Sequence, residues 1–166
     1  MYQVGEQVIY GSHGVCEIIT REERLIDRKK VLYLVLEPVG QTGSRYYVPE
    51  HNTAAMAKMH PMMTRLELDN LIKSETVHAD AWIPDENRRK QVYRELIVSG
   101  DRVKLMQMVR SLYLKRKNSA ASGKKLHLCD ENFLRDAEKV LIGEISLVLD
   151  LDLELTKKYL HNQLDT

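Results

Sequence analysis

The sequence predicts an α+β protein, with a small antiparallel β module of the Tudor or SH3 kind at the N-terminus and an all-α helical bundle after it. Up to about residue 49, short runs rich in β-branched and aromatic residues alternate with turn-forming residues. Beyond Pro49 the apolar residues recur at spacings of three and four, as they do in amphipathic helices. A chain of 166 residues is long enough for two small domains. We therefore predict domains at residues 1–58 and 63–166.

The β module is predicted from strand-like runs at residues 8–10, 14–19, 31–36 and 46–48. Turn formers separate them at residues 11–14, 27–29 and 40–43. Four or five strands at this spacing fit a small, strongly bent sheet or barrel. Such a sheet is too small to enclose a cleft, so we expect an exposed strand or edge to bind another protein.

Helix signals begin at Thr64, which forms a capping box with Glu67. The apolar side of this helix is predicted to comprise Leu66, Leu68, Leu71 and Ile72. Three longer helices are predicted at about 87–98, 101–117 and 130–149, and a shorter one at about 152–163. Gly100 is placed to close the first of the three and Asp101 to cap the second. Residues 118–123 are interpreted as a polar connection.

The net charge of +1 hides a strong asymmetry along the chain. Residues 85–125 contain twelve Lys/Arg and four acids, a net charge of +8, whereas residues 126–166 have a net charge of −5. The simplest interpretation of a basic stretch is a solvent-exposed helix face. However, Arg88, Arg89 and Lys90 lie near a helix N-terminus, where the helix dipole disfavours cations. We therefore favour an external partner for them, namely DNA phosphate.

Trp82 is the only tryptophan, and it stands in a polar stretch just before this basic cluster. It could anchor the linker to the bundle, which composition alone favours. The alternative is an exposed ring that stacks on bases or wedges between them.

No sequence motif indicates an enzyme, a cofactor or a metal site. The histidines are scattered, and no glycine-rich phosphate loop or nucleophile elbow is present. Cys16 and Cys129 are far apart and are interpreted as reduced, packed thiols, although His13 lies three residues before Cys16. No signal peptide or membrane helix is recognisable, so we expect a cytoplasmic protein without a small-molecule substrate.

Several segments of the chain, taken in order, resemble one known family. They are VGEQVIY at residues 4–10 with His13-Gly14, YLVL at 33–36, YVP at 47–49, SGD at 99–101, VRSL at 109–112 and AEKVLIGEI at 137–145. In order and spacing they are similar to the CarD/CdnL-type bacterial transcription regulators. The N-terminal module of that family is shared with transcription-repair coupling factor. The resemblance implies a Tudor-like domain that binds the RNA polymerase β subunit and a helical domain that contacts promoter DNA.

The resemblance also implies roles for individual residues in polymerase binding. Arg24 falls where the family has a polymerase-binding arginine. Tyr47 falls where some members have a second arginine, and Arg45, two residues away, would share its strand face.

On the DNA side, Arg88 and Arg89 match the family's paired arginines, with Lys90 beside them. Members with a wedge tryptophan have it where this chain has Glu86, and Trp82 lies four residues earlier. Pro84 argues against a simple one-turn helical shift between the two positions.

From the sequence and the resemblance we therefore predict a non-enzymatic regulator. It would bind the polymerase β subunit and contact DNA at the upstream edge of the transcription bubble, so stabilising the open complex. The alternative is a protein-interaction adaptor that uses both domains and does not bind DNA. In that case the acidic half of the bundle would bind a basic partner, or fold back on the basic half.

Overall fold

The computed structural model describes residues 1–165. Its N-terminal part is a five-stranded antiparallel sheet in the order β4-β3-β2-β1-β5. The strands are β1 Gln7–Tyr10, β2 Val15–Ile26, β3 Lys29–Pro38, β4 Tyr46–Pro49 and β5 Met59–Pro61. The rest of the chain is mainly helical, so the predicted α+β class is confirmed.

The β2–β3 hairpin is much longer than the predicted runs, which covered only residues 14–19 and 31–36. Pairing continues to Ile26 opposite Lys29, and only Asp27 and Arg28 form the turn. Both turn residues have positive φ, 48° and 64°, as a type I′ hairpin turn requires. The sequence did not show this extension because the outer half of the hairpin is exposed and largely charged, without an alternating apolar pattern.

The helices are α1 Thr53–Met56, α2 Arg65–Ile72, α3 Glu75–His78, α4 Glu86–Ser99, α5 Arg102–Ala121, α6 Leu128–Leu149 and α7 Leu153–Leu164. The capping box at Thr64 is present. Gly100 closes α4 at φ 68°, and the Asp101 side chain caps α5. These three predictions are confirmed. The prediction that Leu66 belongs to the apolar side of α2 is wrong, because its side chain is 69% exposed.

Helix α5 also runs past its predicted end at residue 117. The segment interpreted as a connection supplies another helical turn, because its asparagine, serines and alanines do not break a helix. The helix ends where Gly123 takes φ 71° and the Lys124 amide donates to the Ser119 carbonyl oxygen at 2.8 Å. This longer helix brings Ser119 and Lys124 next to the segment that precedes α4.

The buried apolar residues form two separate clusters. One lies in the sheet around Val8, Ile18 and Leu36, and the other lies among the helices around Leu112 and Leu141. Strand β5 pairs with β1, so the sheet continues past residue 58, where the first domain was predicted to end. The domain ranges 1–58 and 63–166 stay a prediction.

The sheet meets the helices through a close approach of two backbones. Gly11 begins a single 3-10 turn, and a Cβ atom on it would lie 2.7 Å from the carbonyl oxygen of Val98 in α4. A Cβ atom on Gly100 would lie 3.3 Å from the Cα atom of Gly11. His60 of β5 donates from Nε2 to the Ser99 carbonyl oxygen at 3.1 Å. Any side chain larger than hydrogen at Gly11 therefore forces the sheet and α4 to move apart.

An ion pair to a buried carboxylate fixes the linker beside this contact. Glu144 of α6 is only 2% exposed, and its carboxylate accepts from the Met63 amide at 2.8 Å and from Arg102 at 2.7 Å. Arg102 also donates to the Pro61 carbonyl oxygen. The buried carboxylate is therefore both paired and hydrogen-bonded, as a buried charge must be. We call Gly11, Gly100, Arg102 and Glu144 the interdomain joint.

Candidate functional site

The structure brings together Arg24 and Tyr47, two residues singled out from the sequence for polymerase binding. Arg24 lies on β2, and its guanidinium carbon is 4.0 Å from the centroid of the Tyr47 ring on β4. Tyr33 of β3 meets the same ring edge-on at 6.4 Å. Glu22 accepts a hydrogen bond from Arg24 at 3.0 Å, which raises the pKa of Arg24. The result is an exposed arginine held over an aromatic ring.

Arg45 is exposed and directly precedes β4, two residues from Tyr47. We call Arg24, Tyr33, Arg45 and Tyr47 the docking face. It adjoins β4, which is an outermost strand of the sheet, and within residues 1–165 nothing pairs with the outer side of that strand. An unpaired strand edge can accept a further strand from another protein.

Arg89, predicted from the sequence as a DNA contact, is buried. Its side chain donates to both carboxylate oxygens of Asp130, at 3.0 Å and 2.9 Å, and to the Ile83 carbonyl oxygen at 3.0 Å. Arg89 is only 4% exposed and Asp130 only 1%. The hydrogen bond with Asp130 raises the pKa of Arg89. A DNA contact by Arg89 therefore stays a prediction, and it would require this pair to open.

Trp82 is half-buried at the surface of the bundle and packs against the helical core. The Arg89 guanidinium carbon lies 4.5 Å from the centroid of its ring, and the Lys115 ammonium nitrogen lies 5.1 Å from it. The ring therefore packs on the bundle, as the anchoring alternative predicts, and it keeps an accessible portion. Its contact with bases stays a prediction. The buried Arg89–Asp130 pair supports the ring from within.

Most of the basic residues of 85–125 fall into two groups, according to whether a carboxylate lies within 4.0 Å of them. One group forms ion pairs with carboxylates: Arg89, Lys90, Arg102, Arg116 and Lys117. In the other group no carboxylate of residues 1–165 lies within 4.0 Å: Arg88, Arg94, Lys104, Lys115, Lys124 and Lys125. Four pairs of the first group join the basic half of the bundle to its acidic half. Only Lys90 pairs locally, with Glu86 at 2.7 Å, and this hydrogen bond lowers the pKa of Glu86.

Arg88 is the one member of the predicted Arg88-Arg89-Lys90 cluster that is both exposed and without a carboxylate partner in the described chain. Its backbone amide donates to the Asp85 side chain, which caps α4. The position near a helix N-terminus is unfavourable for a cation. This makes Arg88 available to an external anion.

A hollow beside Trp82 collects three lysines that sequence reasoning did not single out. Lys115 comes from the last turns of α5, and Lys124 and Lys125 come from the loop that follows it. We call Trp82, Lys115, Lys124 and Lys125 the basic hollow. The only signal in the sequence was the overall charge of residues 85–125. The proximity of these lysines to Trp82 depends on the tertiary fold.

The described residues show no arrangement suited to a metal ion. Within residues 1–165 no three His, Cys, Asp or Glu side chains are grouped as ligands. Cys16 is buried in the sheet core, which raises the pKa of its thiol to about 11. The His13 ring stacks on Tyr46 at 3.9 Å between centroids.

None of the helices between residues 1 and 165 is both long and apolar enough to cross a membrane.

Family models match both halves of the chain. Residues 2–60 match the CarD-like/TRCF RID domain. Residues 69–161 match the CarD, C-terminal domain. The docking face lies in the first match, and Trp82, Arg88 and the three lysines lie in the second. The predicted family is confirmed: the chain belongs to the CarD family of RNA polymerase-interacting transcription regulators.

Proposed function

We propose that the protein binds the β subunit of RNA polymerase through its docking face and contacts promoter DNA at the upstream edge of the transcription bubble, so stabilising the open complex. It acts in the cytoplasm as a non-enzymatic factor, in keeping with a transcription factor family. The observation that carries the proposal is the pairing of two exposed cationic surfaces, at Arg24 and around Trp82, on domains held by a buried joint. One protein can then hold polymerase and DNA in a fixed relation.

Polymerase binding is supported by the exposure of the docking face and by the fixed positions of its side chains. Tyr47 supplies a rigid aromatic surface, and Arg24 and Arg45 supply donors that suit a carboxylate-bearing partner. The open edge of β4 adds backbone donors and acceptors for a strand of the partner. Because Arg24 and Tyr47 lie on strands and Arg45 directly precedes one, little ordering accompanies binding.

Arg24→Glu is expected to abolish binding to the polymerase β subunit while leaving the fold intact. The side chain is exposed, so the substitution removes the cation over Tyr47 and places a carboxylate beside Glu22 without disturbing a core. A pull-down of the β subunit measures the loss. Arg28→Glu, at the exposed hairpin turn, makes the same charge change and is expected to retain binding. Equal retention of the β subunit by Arg24→Glu and the wild type would contradict the docking assignment.

DNA contact is supported by the cations near Trp82 and the start of α4, most of which have no carboxylate partner within residues 1–165. Arg88 and Lys90 lie on the first turns of α4, and Lys90 reaches DNA by leaving its exposed pair with Glu86. Solvent screens such a surface pair, so exchanging the carboxylate for phosphate costs little. Contacts of this kind are mainly to the backbone, so binding to free DNA is weak and falls steeply with salt.

Footprinting of promoter DNA bound by polymerase, with and without the protein, separates this function from that of an adaptor that does not bind DNA. We expect added protection at the upstream edge of the bubble, and we expect Trp82→Ala with Arg88→Glu to remove it while polymerase binding is kept. An unchanged footprint with the wild type would support the adaptor. Four acids of the bundle's second half already pair with its own basic residues, which leaves less of that surface for a basic partner.

A further inference from the structure

We infer that a groove between the sheet and α6 binds a small molecule with an apolar body and one carboxylate group, which the ammonium group of Lys139 holds. The turn before β2, the chain after β3, α6 and the start of α7 form this groove. We call it the interdomain groove; its lining includes Val39, Lys139, Gly143, Leu147 and Leu153. It shares no residue with the docking face or the basic hollow, and it would bind its ligand whether or not the protein contacts DNA.

The walls of the interdomain groove are largely apolar although they face solvent. Val39 and Leu147 are each 44% exposed, and Leu153 is 60% exposed. They come from the chain after β3, from α6 and from α7, so the tertiary fold brings them together. The volume is about 330 Å³, within the range of small-molecule sites, which often lie between domains. An apolar ligand that covers these side chains removes their surface from water, which favours binding.

Gly143 keeps the floor of the groove open. It lies in the interior of α6, where glycine is the least favourable residue after proline. Its φ is not positive, and a Cβ atom built on it would have no atom within 4 Å beyond its own helix backbone and chain neighbours. Neither the backbone conformation nor packing within residues 1–165 therefore requires glycine here. The missing side chain does leave space in the groove for a ligand.

The charge of the groove favours a single anionic group. Among the described residues of the lining, only Lys139 has a charged side chain. It is exposed, and no carboxylate within residues 1–165 lies within 4.0 Å of its ammonium nitrogen. Burial lowers the pKa of His13, and the charge of Lys58 lowers it further, so the His13 ring is an uncharged wall at neutral pH. One cation beside apolar side chains matches one carboxylate on an apolar body.

The cation and the apolar side chains lie at opposite ends of the groove. Lys139 and Leu147 are separated by roughly 12 Å along α6, at the helical rise per residue. Leu153 begins α7 just after α6 ends, so it extends the apolar end. Asp150 and Asp152 precede Leu153 in the chain and would repel an anion at that end. An amphiphilic carboxylate therefore fits in one orientation, with its carboxylate at Lys139.

Decanoate is a suitable probe, because it joins an apolar chain to one carboxylate. The full-length protein, labelled with nitrogen-15, is titrated with it below the concentration at which micelles form, and amide correlation spectra are recorded. We expect saturable shifts at groove amides from both parts of the protein, namely Gly14, Gln41, Gly143 and Leu147. Decyltrimethylammonium has the same chain with a cationic head. It should bind at least about tenfold more weakly, the usual contribution of one hydrogen bond between charged groups.

Gly143→Leu fills the groove and should abolish decanoate binding. Leucine is a much better helix former than glycine, and no atom lies within 4 Å of the new Cβ atom, so the variant should unfold at a temperature no lower than the wild type does. Lost binding with retained stability distinguishes a filled site from a damaged fold. Ala54→Leu is the matched control, because it adds the same side chain to the exposed helix α1, outside the groove. It should bind decanoate like the wild type.

Lys139→Gln tests the cation separately and changes only an exposed side chain. It should weaken decanoate binding about tenfold and leave decyltrimethylammonium binding no weaker than in the wild type.

Decanoate binding by Gly143→Leu with wild-type affinity would overturn the site. Equal affinities of the wild type for the two head groups, or an unchanged affinity of Lys139→Gln, would overturn the assignment of an anionic ligand. Shifts confined to the basic hollow, or no shifts at all, would overturn the whole inference.

Discussion

Arg89→Ala is expected to lower the free energy of unfolding of the helical domain by about 3 to 5 kcal/mol, the usual cost of removing one partner of a buried ion pair. The substitution leaves the Asp130 carboxylate, only 1% exposed, without its guanidinium. It also removes the donor to the Ile83 carbonyl oxygen and the cation over Trp82. Urea denaturation followed by circular dichroism measures the loss.

The neighbouring Arg88→Ala is the matched control, because Arg88 is exposed and should cost no more than about 0.5 kcal/mol. Arg89→Met combined with Asp130→Leu should recover most of the stability, since an apolar pair of similar volume leaves no buried charge. Equal stabilities of Arg89→Ala and Arg88→Ala would contradict the structural role of Arg89. A charge reversal at Arg89 therefore cannot test DNA binding, because it disturbs the fold and the support of Trp82 together.

Gly11→Ala is expected to keep polymerase binding and to lose the effect on the open complex. The new Cβ atom would lie 2.7 Å from the Val98 carbonyl oxygen, so the sheet and the helices must move apart. The residue also has φ 48°, which costs a residue with a side chain about 1 to 2 kcal/mol. The two proposed binding surfaces would each survive, but the joint between them would be altered.

Two readouts on the same preparation test this second prediction. Binding of the β subunit should match the wild type, while the lifetime of the promoter open complex should fall to its value without the protein. Gly123→Ala is the control, because Gly123 has φ 71° but nothing lies within 4 Å of its added Cβ atom. It should keep both activities. A full open-complex effect from Gly11→Ala would show that the fixed joint is not needed.

The parts of the fold that could be predicted from the sequence are those set by neighbours in the chain. The Thr64 capping box, the closing Gly100 and the capping Asp101 each depend on residues within one helical turn, and each was confirmed. The long β2–β3 hairpin and the last turn of α5 were missed. Both lie in exposed segments where polar residues are compatible with regular structure as well as with loops.

The candidate site shows the limit of local reasoning about charge. The position of Arg89 near a helix N-terminus pointed to an external partner, yet its partner is Asp130, 41 residues away in sequence. For Arg88, which has no such partner within the described chain, an external partner stays a prediction. Likewise, the contact of Arg24 with Tyr47 depends on strand register, which no pattern along one strand contains.

If one molecule holds polymerase and DNA at the same time, the lifetime of promoter open complexes after competitor challenge depends on both of its surfaces. The wild type should prolong the lifetime. Arg24→Glu, which cannot dock, and Trp82→Ala with Arg88→Glu, which cannot hold DNA, should each have no effect. An equimolar mixture of the two variants should have none either, because no molecule in it has both surfaces intact. Restoration of the wild-type lifetime by the mixture, or by either variant alone, would contradict simultaneous binding of polymerase and DNA by one molecule.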